Sequence, residues 1–391
     1  MGRQVRLGRR QVLAGAGLGA AALAVHPVEA VASAAAGSVT GTSVASEALV
    51  YVSGSGNDAS TGASAATPMR TLQAAYAALP AGGGTIVAGP GRYDVLAGLS
   101  LDRRKPVWIT SEVRPRKYVP SQSRAPYPGG PAAVIFSSTG ANALVTTGAI
   151  PAANNMGYGF RFSNLVFELT ASTTTCALDM NSINMGEVDG CIFWADINTV
   201  PAAVDAVGVK VYTDNVHGVD ASWWRIHDNV AAGMALCLLG NDTGSRYDCN
   251  QHVVRDNIGL GRNHTLTAAR PFIRIVGGNR CVVRDNNVEA YNIGIQFQGC
   301  WMCVEDGDGG EVVDVFIDLM GCNGCRVSPI GISTPTNALP SALLVRGDIN
   351  TYGNVITSAS AYNGAQTRTY AQASSSVKLA KPDNVVVAAR M

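Results

Sequence analysis

The sequence predicts an all-β solenoid, a stack of coils built from short parallel strands. Three observations carry that expectation. Glycine is abundant, at 44 of 391 residues, and falls beside Asn and Asp along the chain, which punctuates it into many turns and short strands. The middle of the chain repeats itself. WRIHDNV (224–230), HVVRDNI (252–258) and CVVRDNNV (281–288) align, setting Asp228-Asn229, Asp256-Asn257 and Asp285-Asn286 at offsets of 28 and 29 residues. Further on, the offset tightens to 22, shared by Cys281, Cys303 and Cys325 and again by Cys300 and Cys322.

The first 36 residues are not fold. Arg3, Arg6, Arg9 and Arg10 precede the apolar VLAGAGLGAAALAV (12–25), and small residues follow around Ala32-Ser33-Ala34. That order is the grammar of a secretory signal. The apolar run is shorter than the ~20 residues a spanning helix needs. The paired arginines of GRRQVL (8–13) resemble a twin-arginine export signal, with Gly8 and Val12 departing from its pattern. A Ser/Thr/Gly/Ala linker follows over 37–48, and no later segment is apolar enough to span a membrane. The mature protein is expected to be secreted or extracytoplasmic.

The domain over 49–391 opens on LVYVSGSGNDASTGASAATPMRTLQAAYAALPAGGGTIVAGPGRYDV (49–95). A strand leads into a Gly/Asn/Asp/Ser loop. Thr67 can then cap a helix that has Pro68 at its first position, where the missing N–H costs nothing. Leu72, Ala75, Tyr76 and Leu79 follow at helical spacing, so a helix is expected over 68–79. Pro80 and Gly82-Gly83-Gly84 end it before the strand TIVA.

Tyr51-Val52-Ser53, Gly56-Asn57-Asp58, Thr67-Pro68, Thr71-Leu72-Gln73-Ala74, Gly83-Gly84-Thr85-Ile86 and Gly91-Arg92-Tyr93 together resemble the opening phrase of the pectate-lyase-like superfamily. The resemblance is specific over this opening segment and only compositional beyond it. It implies a right-handed parallel β-helix with a short N-terminal capping helix; coils are expected over about 84–356, and the Ser/Ala/Gln-rich 357–391 with its late apolar VVVAAR is expected to form a C-terminal strand or cap. It implies activity far less, since that superfamily spans lyases, glycosidases, epimerases, tailspikes and adhesins.

In such coils a recurring Asn can bond its equivalents above and below, so Asn229, Asn257 and Asn286 are read as a structural ladder. Alternation turns Ile226, Val254 and Val283 inward and His227, Arg255 and Arg284 outward. At the next repeat the register is open, with Val304 able to take the core slot and leave Glu305 outside. The longer early coils place their extra residues in loops such as 259–269, and such insertions cluster on one face, often the binding face.

Cys300, Cys303, Cys322 and Cys325 also fit the spacing of a zinc ribbon. The 22-residue period explains the same spacing as two columns one coil apart, and accounts for Cys281 besides. Stacked core thiols or a disulfide are therefore preferred to zinc.

Net charge is +1 with no basic stripe, which argues against a nucleic-acid partner. No nucleophile elbow, metalloprotease motif or phosphate loop is present in a fitting context, so any site must be gathered from successive coils. The candidate catalytic strip is His227, Arg255 and Arg284 with Asp205, Asp214 and Glu289; Trp223, Tyr291 and Trp301 are candidate sugar-binding aromatics. His or Arg could remove a proton α to a uronate carboxylate, and Arg or a carboxylate-held Ca²⁺ could neutralise the acid. A glycosidase would instead need a carboxylate pair, about 5 Å apart or roughly 6.5–9.5 Å apart according to stereochemistry. The plain alternative is that the arginines solvate a sheet while Trp224 fills the core. The functional expectation is an exported enzyme cleaving an extended polysaccharide, a lyase ahead of a glycoside hydrolase. A non-catalytic glycan-binding adhesin or tailspike-like protein is the alternative, and a homotrimer is compatible with either.

Overall fold

Alternating apolar and polar residues, broken every few positions by Gly, Asn or Asp, leave the chain no long run to wind into helices. It builds instead a right-handed parallel β-helix. The computed structural model describes residues 48–116, 132–148, 157–170, 173–195, 206–213, 221–240, 249–261, 271–334, 343–358, 360–363, 366–367, 377–379 and 383–388. The expected leader, and the linker apart from Ala48, lie outside the described residues. No helix among the described residues is long and apolar enough to cross a membrane.

Each coil contributes to three faces. Face A is a twelve-stranded sheet that includes Glu187–Asp189, Arg225–His227, Val253–Arg255, Val282–Arg284, Val304–Asp306 and Arg326–Ser328. Faces B and C belong to a nineteen-stranded sheet. Face B includes Ile192–Ala195, Val230–Ala232 and Ile258–Leu260; face C includes Cys176–Asn181, Val207–Tyr212, Ala235–Leu239, Pro271–Val276 and Leu343–Gly347. Two long strands, Asn287–Gln298 and Gly309–Met320, run through both, with the register breaking around Tyr291 where the strand bends. Inward side chains form one core along the axis, in which the Phe167 and Phe193 rings stack on neighbouring rungs at 5.3 Å. Trp224 is fully buried, its ring lying where a Cβ on Gly186 would come within 2.4 Å, so only glycine fits there.

The repeat read from sequence is the rung of the solenoid. His227 pairs with Arg255, Arg255 with Arg284 and Arg284 with Asp306, while Ile226, Val254 and Val283 are buried beneath them. The asparagine ladder is present. Asn229 Nδ2 donates to Asn257 Oδ1 at 3.0 Å, and Asn257 Nδ2 to Asn286 Oδ1 at 2.9 Å. Each Nδ2 also donates to a backbone carbonyl, Val188, Ile226 and Val254 in turn.

The ladder ends on an acid: Asn286 Nδ2 donates to Asp308 Oδ1 at 2.8 Å. The register left open at Cys303 resolves against Val304. Val283 pairs with Glu305, and it is Glu305 that occupies the core slot. Two backbone donors make this tolerable, Asp308 N to Glu305 Oε1 and Ser328 N to Glu305 Oε2, at 3.3 and 2.8 Å. Burial beside Asp308 holds the Glu305 carboxyl well above its ordinary range.

Six of the nine cysteines stand in two corner columns, Cys249, Cys300 and Cys322 in one and Cys281, Cys303 and Cys325 in the other. All nine are buried and free. Each thiol of the C-x-x-C pairs lies against a backbone carbonyl of the preceding coil, as Cys300 Sγ on Ile275 O at 3.3 Å and Cys322 Sγ on Phe297 O at 3.1 Å. The Cys325 thiol, beside that of Cys303 and buried, is pushed up to about 12.

The N-terminal end differs from expectation. The helix spans Leu72–Ala78 rather than 68–79, and Thr71, not Thr67, caps it by accepting from Ala74 N. Asp58 is the reason: its carboxylate takes Arg70 N, Thr71 N and Thr71 Oγ1, holding the preceding turn extended. At the other end, where a strand or cap was expected, a strand continues the parallel pairing, with Val355–Ser358 in register with Val385–Ala388.

Candidate functional site on face C

All three faces carry outward columns of side chains, so chain length at the corners is what distinguishes them. From face A to face B the chain turns within two residues, at 190–191, 228–229, 256–257, 285–286 and 307–308; 112–132 in an early coil is the exception. From B to C it spends 196–206 and 261–270, and from C to A it spends 213–224. Face C therefore receives long connections at both of its edges. The longer connections thus fall at more than one corner, two of which border face C.

The outward column of face C runs, in register, Asp179, Lys210, Leu238, Arg274, Gln296, Asp318, Arg346. At one end Arg346 grips Asp318 with two bonds of 2.8 and 3.0 Å and reaches Asp314 at 3.2 Å, while Gln296 donates to Asp318 at 2.9 Å. Such a closed network is suited to rigidity. At the other end lies a looser cluster. The Tyr212 hydroxyl lies close enough to the Asp179 carboxyl group for each to shift the other's proton affinity, and Lys210 Nζ sits 4.6 Å from the Tyr212 ring centroid. Burial raises the Asp179 carboxyl above its ordinary range, against the pull of Lys210 and the Tyr212 hydroxyl. Burial, with Asp179 nearby, likewise raises Tyr212, which keeps its proton. A carboxyl that is more basic than usual, a protonated phenol and a cation thus meet in one half-buried patch.

The residues singled out from sequence are distributed differently. His227, Arg255 and Arg284 do form one outward column, but on face A. There His227 is held between Glu187 and Asp228, at 3.0 Å each, Arg255 pairs with Asp256, and Arg284 lies 4.0 Å from Asp285. Arg161 extends the strip, bonding Asp189 at 3.1 Å and stacking over Trp108. Nearly every charge there is answered by a neighbour, and one border of the face is the tight corner.

Glu289 is on face B, paired with Asn287, and does not join the His227 column. Tyr291 faces the core, its hydroxyl donating to Met234 O, so its ring is not open to a sugar. Trp223 and Trp301 are exposed at the C-to-A corner. Asp205 and Asp214 lie outside the described residues, two positions before and two after the face C strand Val207–Tyr212. Among the described residues no group of three His, Cys, Asp or Glu side chains is placed to hold a metal ion.

Sequence reasoning missed Asp179, Lys210 and Tyr212. Their signal was the polar residue within CALDMN (176–181) and VGVKVY (207–212), each flanked by buried apolar positions.

No protein-family model matches this chain, and no curated protein matches it in sequence. Solved structures do resemble it. The DFA-IIIase of Arthrobacter chlorophenolicus, in complex with GF2, is 11% identical with a TM-score of 0.52, over 79% of this chain and 86% of that one. An alginate lyase from Paenibacillus sp. is 14% identical with a TM-score of 0.48, over 81% and 95%. A mannuronan C-5 epimerase A-module from Azotobacter vinelandii is 14% identical with a TM-score of 0.43, over 82% and 94%. At 11% identity the likeness to the DFA-IIIase speaks to architecture alone, and it agrees with the parallel pairing described above, which makes this chain a right-handed parallel β-helix.

Proposed function

We propose that this protein is an exported carbohydrate-active enzyme that cleaves an extended polysaccharide on face C, by β-elimination ahead of hydrolysis. The observation that carries the reading is the Asp179–Tyr212–Lys210 cluster on the face framed by long connections at both edges. The fold likeness supports the scaffold of this reading; the chemistry rests on the cluster.

In the proposed reaction Lys210 pairs with a uronate carboxylate and stabilises the charge that develops when the α carbon loses its proton. Asp179, made more basic by burial, takes that proton. Tyr212 gives its own proton to the departing glycosidic oxygen as the carbon–oxygen bond breaks and a carbon–carbon double bond forms. The proton on Asp179 then returns to the neighbouring Tyr212, restoring both groups. Hydrolysis would need a second carboxylate within roughly 9.5 Å of Asp179. Asp318, the next acid in the described outward column, is five rungs away, about 24 Å at the usual strand spacing.

Export is proposed from the arginine-rich leader and its apolar run. The test is a panel of acidic and neutral polysaccharides, followed by ultraviolet absorbance of the unsaturated product and, in parallel, by new reducing ends. Absorbance that Tyr212→Phe abolishes is the expected result. Reducing ends without absorbance would replace the lyase with a hydrolase, and silence on every glycan would remove the enzymatic reading.

A further inference from the structure

Two corners of the solenoid ask the same thing of the backbone and fill the position differently. At the A-to-B corner one residue per coil adopts the left-handed conformation: Asn164, Gly190, Asp228, Asp256, Asp285 and Gly307, with φ between 55° and 76°. These are the residue types that tolerate it, because glycine lacks a Cβ and Asn or Asp can bond locally. At the C-to-A corner the equivalent column reads Gly159, Met185, Trp223, Gln251, Arg280, Met302, Gly324 and Gly353, with φ between 49° and 74°. The column is continuous: Met185 N donates to Ser222 O, Trp223 N to Asn250 O, Gln251 N to Asn279 O, Arg280 N to Trp301 O and Met302 N to Asn323 O.

Met, Trp, Gln and Arg are costly occupants of this conformation. Nor does the core explain them, since Met185, Trp223 and Met302 are 56%, 42% and 49% exposed. Backbone strain held at a surface points to use of the side chain it presents. The adjacent column adds Trp301, exposed, with Asn279, Asn323 and Tyr352 bridged to it in series. Trp223 Nε1 donates to Gln251 Oε1 at 2.9 Å, which ties the indole to the next rung. The result is a ridge in which aromatic and thioether faces are interspersed with amides and one guanidinium.

We propose that this corner is a polysaccharide-binding ridge, separate from the face C cluster, on which one extended glycan lies along the solenoid axis. Flat aromatic faces suit the C–H face of a pyranose, while Gln251, Asn279 and Arg280 suit its hydroxyls. The rung spacing of about 4.8 Å is close to the length of one sugar residue in an extended chain. Trp223 and Trp301 stand three rungs apart, about 14 Å, so they would hold sugars several positions apart on the same chain. The interspersed amides distinguish this ridge from the continuous apolar patch that buries a protein partner. The ridge is also an edge of face C, so a polymer bound there is delivered alongside the cluster. The choice of glycan as ligand rests on the function proposed above.

The test is affinity electrophoresis in gels cast with polygalacturonate, alginate, β-glucan or inulin, comparing wild type with Trp301→Ala and Trp223→Gly. Trp223→Gly relieves the left-handed backbone, so it is expected to melt no lower than wild type while binding the retarding polymer at least tenfold more weakly. Retardation equal to wild type in both variants would overturn the ridge and leave the catalytic proposal standing. Loss of retardation in a protein that cleaves nothing would sink the catalytic proposal and keep the ridge. A wild-type protein that neither binds nor cleaves any of the four removes both. If instead the variants turn a sedimenting oligomer into a monomer, the ridge is an interface between copies and the proposal fails.

Discussion

Replacing Asp308 by Asn would lengthen the asparagine ladder by one rung. Asp308 Oδ1 already accepts from Asn286 N at 2.6 Å and from Asn286 Nδ2 at 2.8 Å, and an Asn carbonyl oxygen would keep both bonds. The other carboxyl oxygen is buried with no hydrogen-bond partner. An amide nitrogen there would be placed as Asn286 Nδ2 is, which donates to Val254 O, and would meet the carbonyl of Val283 one rung on. Burial pushes Asp308 up to about 7, against about 3.9 in an unfolded chain.

The folded protein therefore binds this proton more tightly than the unfolded one. That advantage is complete below about pH 4 and is lost as pH rises to about 7. Three pH units at 1.36 kcal/mol each set the loss at about 4 kcal/mol, an order of magnitude for a group so close to Glu305. D308N removes the proton from the equilibrium. It is expected to be more stable than wild type by about 2–4 kcal/mol at pH 8 and within about 1 kcal/mol of it at pH 4, read from urea denaturation across that range. A variant less stable at pH 8, or a difference that ignores pH, would refute the account of the ladder's end.

Four further outcomes follow from the same geometry. Asn257→Leu strips acceptors from Asn229 N and Nδ2 and a donor from Ile226 O, and should destabilise by about 3 kcal/mol or more in denaturant. Gly186→Ala drives a methyl into the Trp224 ring and should lower stability by about 1–3 kcal/mol without altering glycan retardation. Tyr212→Phe on face C should reduce kcat/KM by about 10²–10⁴-fold, whereas the double variant His227→Ala, Arg255→Ala on face A should keep at least a third of the rate; the reverse pattern would move the site to face A. All nine thiols should resist a disulfide exchange reagent in the folded protein and titrate fully in guanidinium, and a shortfall in denaturant would reveal disulfides.

Local chemistry makes the coil legible in the sequence. Asp-Asn turns recur because one residue must be left-handed and the next must satisfy buried amides, so the ladder and the inward valines can be read by counting. The same count places Glu305 in the core: the inward residue stands three before the ladder residue at 226/229, 254/257 and 283/286, and 305/308 repeats it. Hydropathy favours Val304 at that point, but the two-residue turn and its ladder set the register more firmly than one valine can.

The face that holds the chemistry is a different matter. Periodicity draws attention to His227, Arg255 and Arg284 because the A-to-B turns that follow them are two residues long in each coil. Asp179, Lys210 and Arg274 share one outward column in the same way, yet unequal insertions at both edges of face C scatter them along the chain. The sequence by itself determined the rung, its inward residues and its ladders, since these depend on neighbours a few positions apart and on a repeat of fixed length. Only the tertiary structure decided which outward column lies between the long connections and which charges are already answered, because both depend on side chains brought together across coils of unequal length.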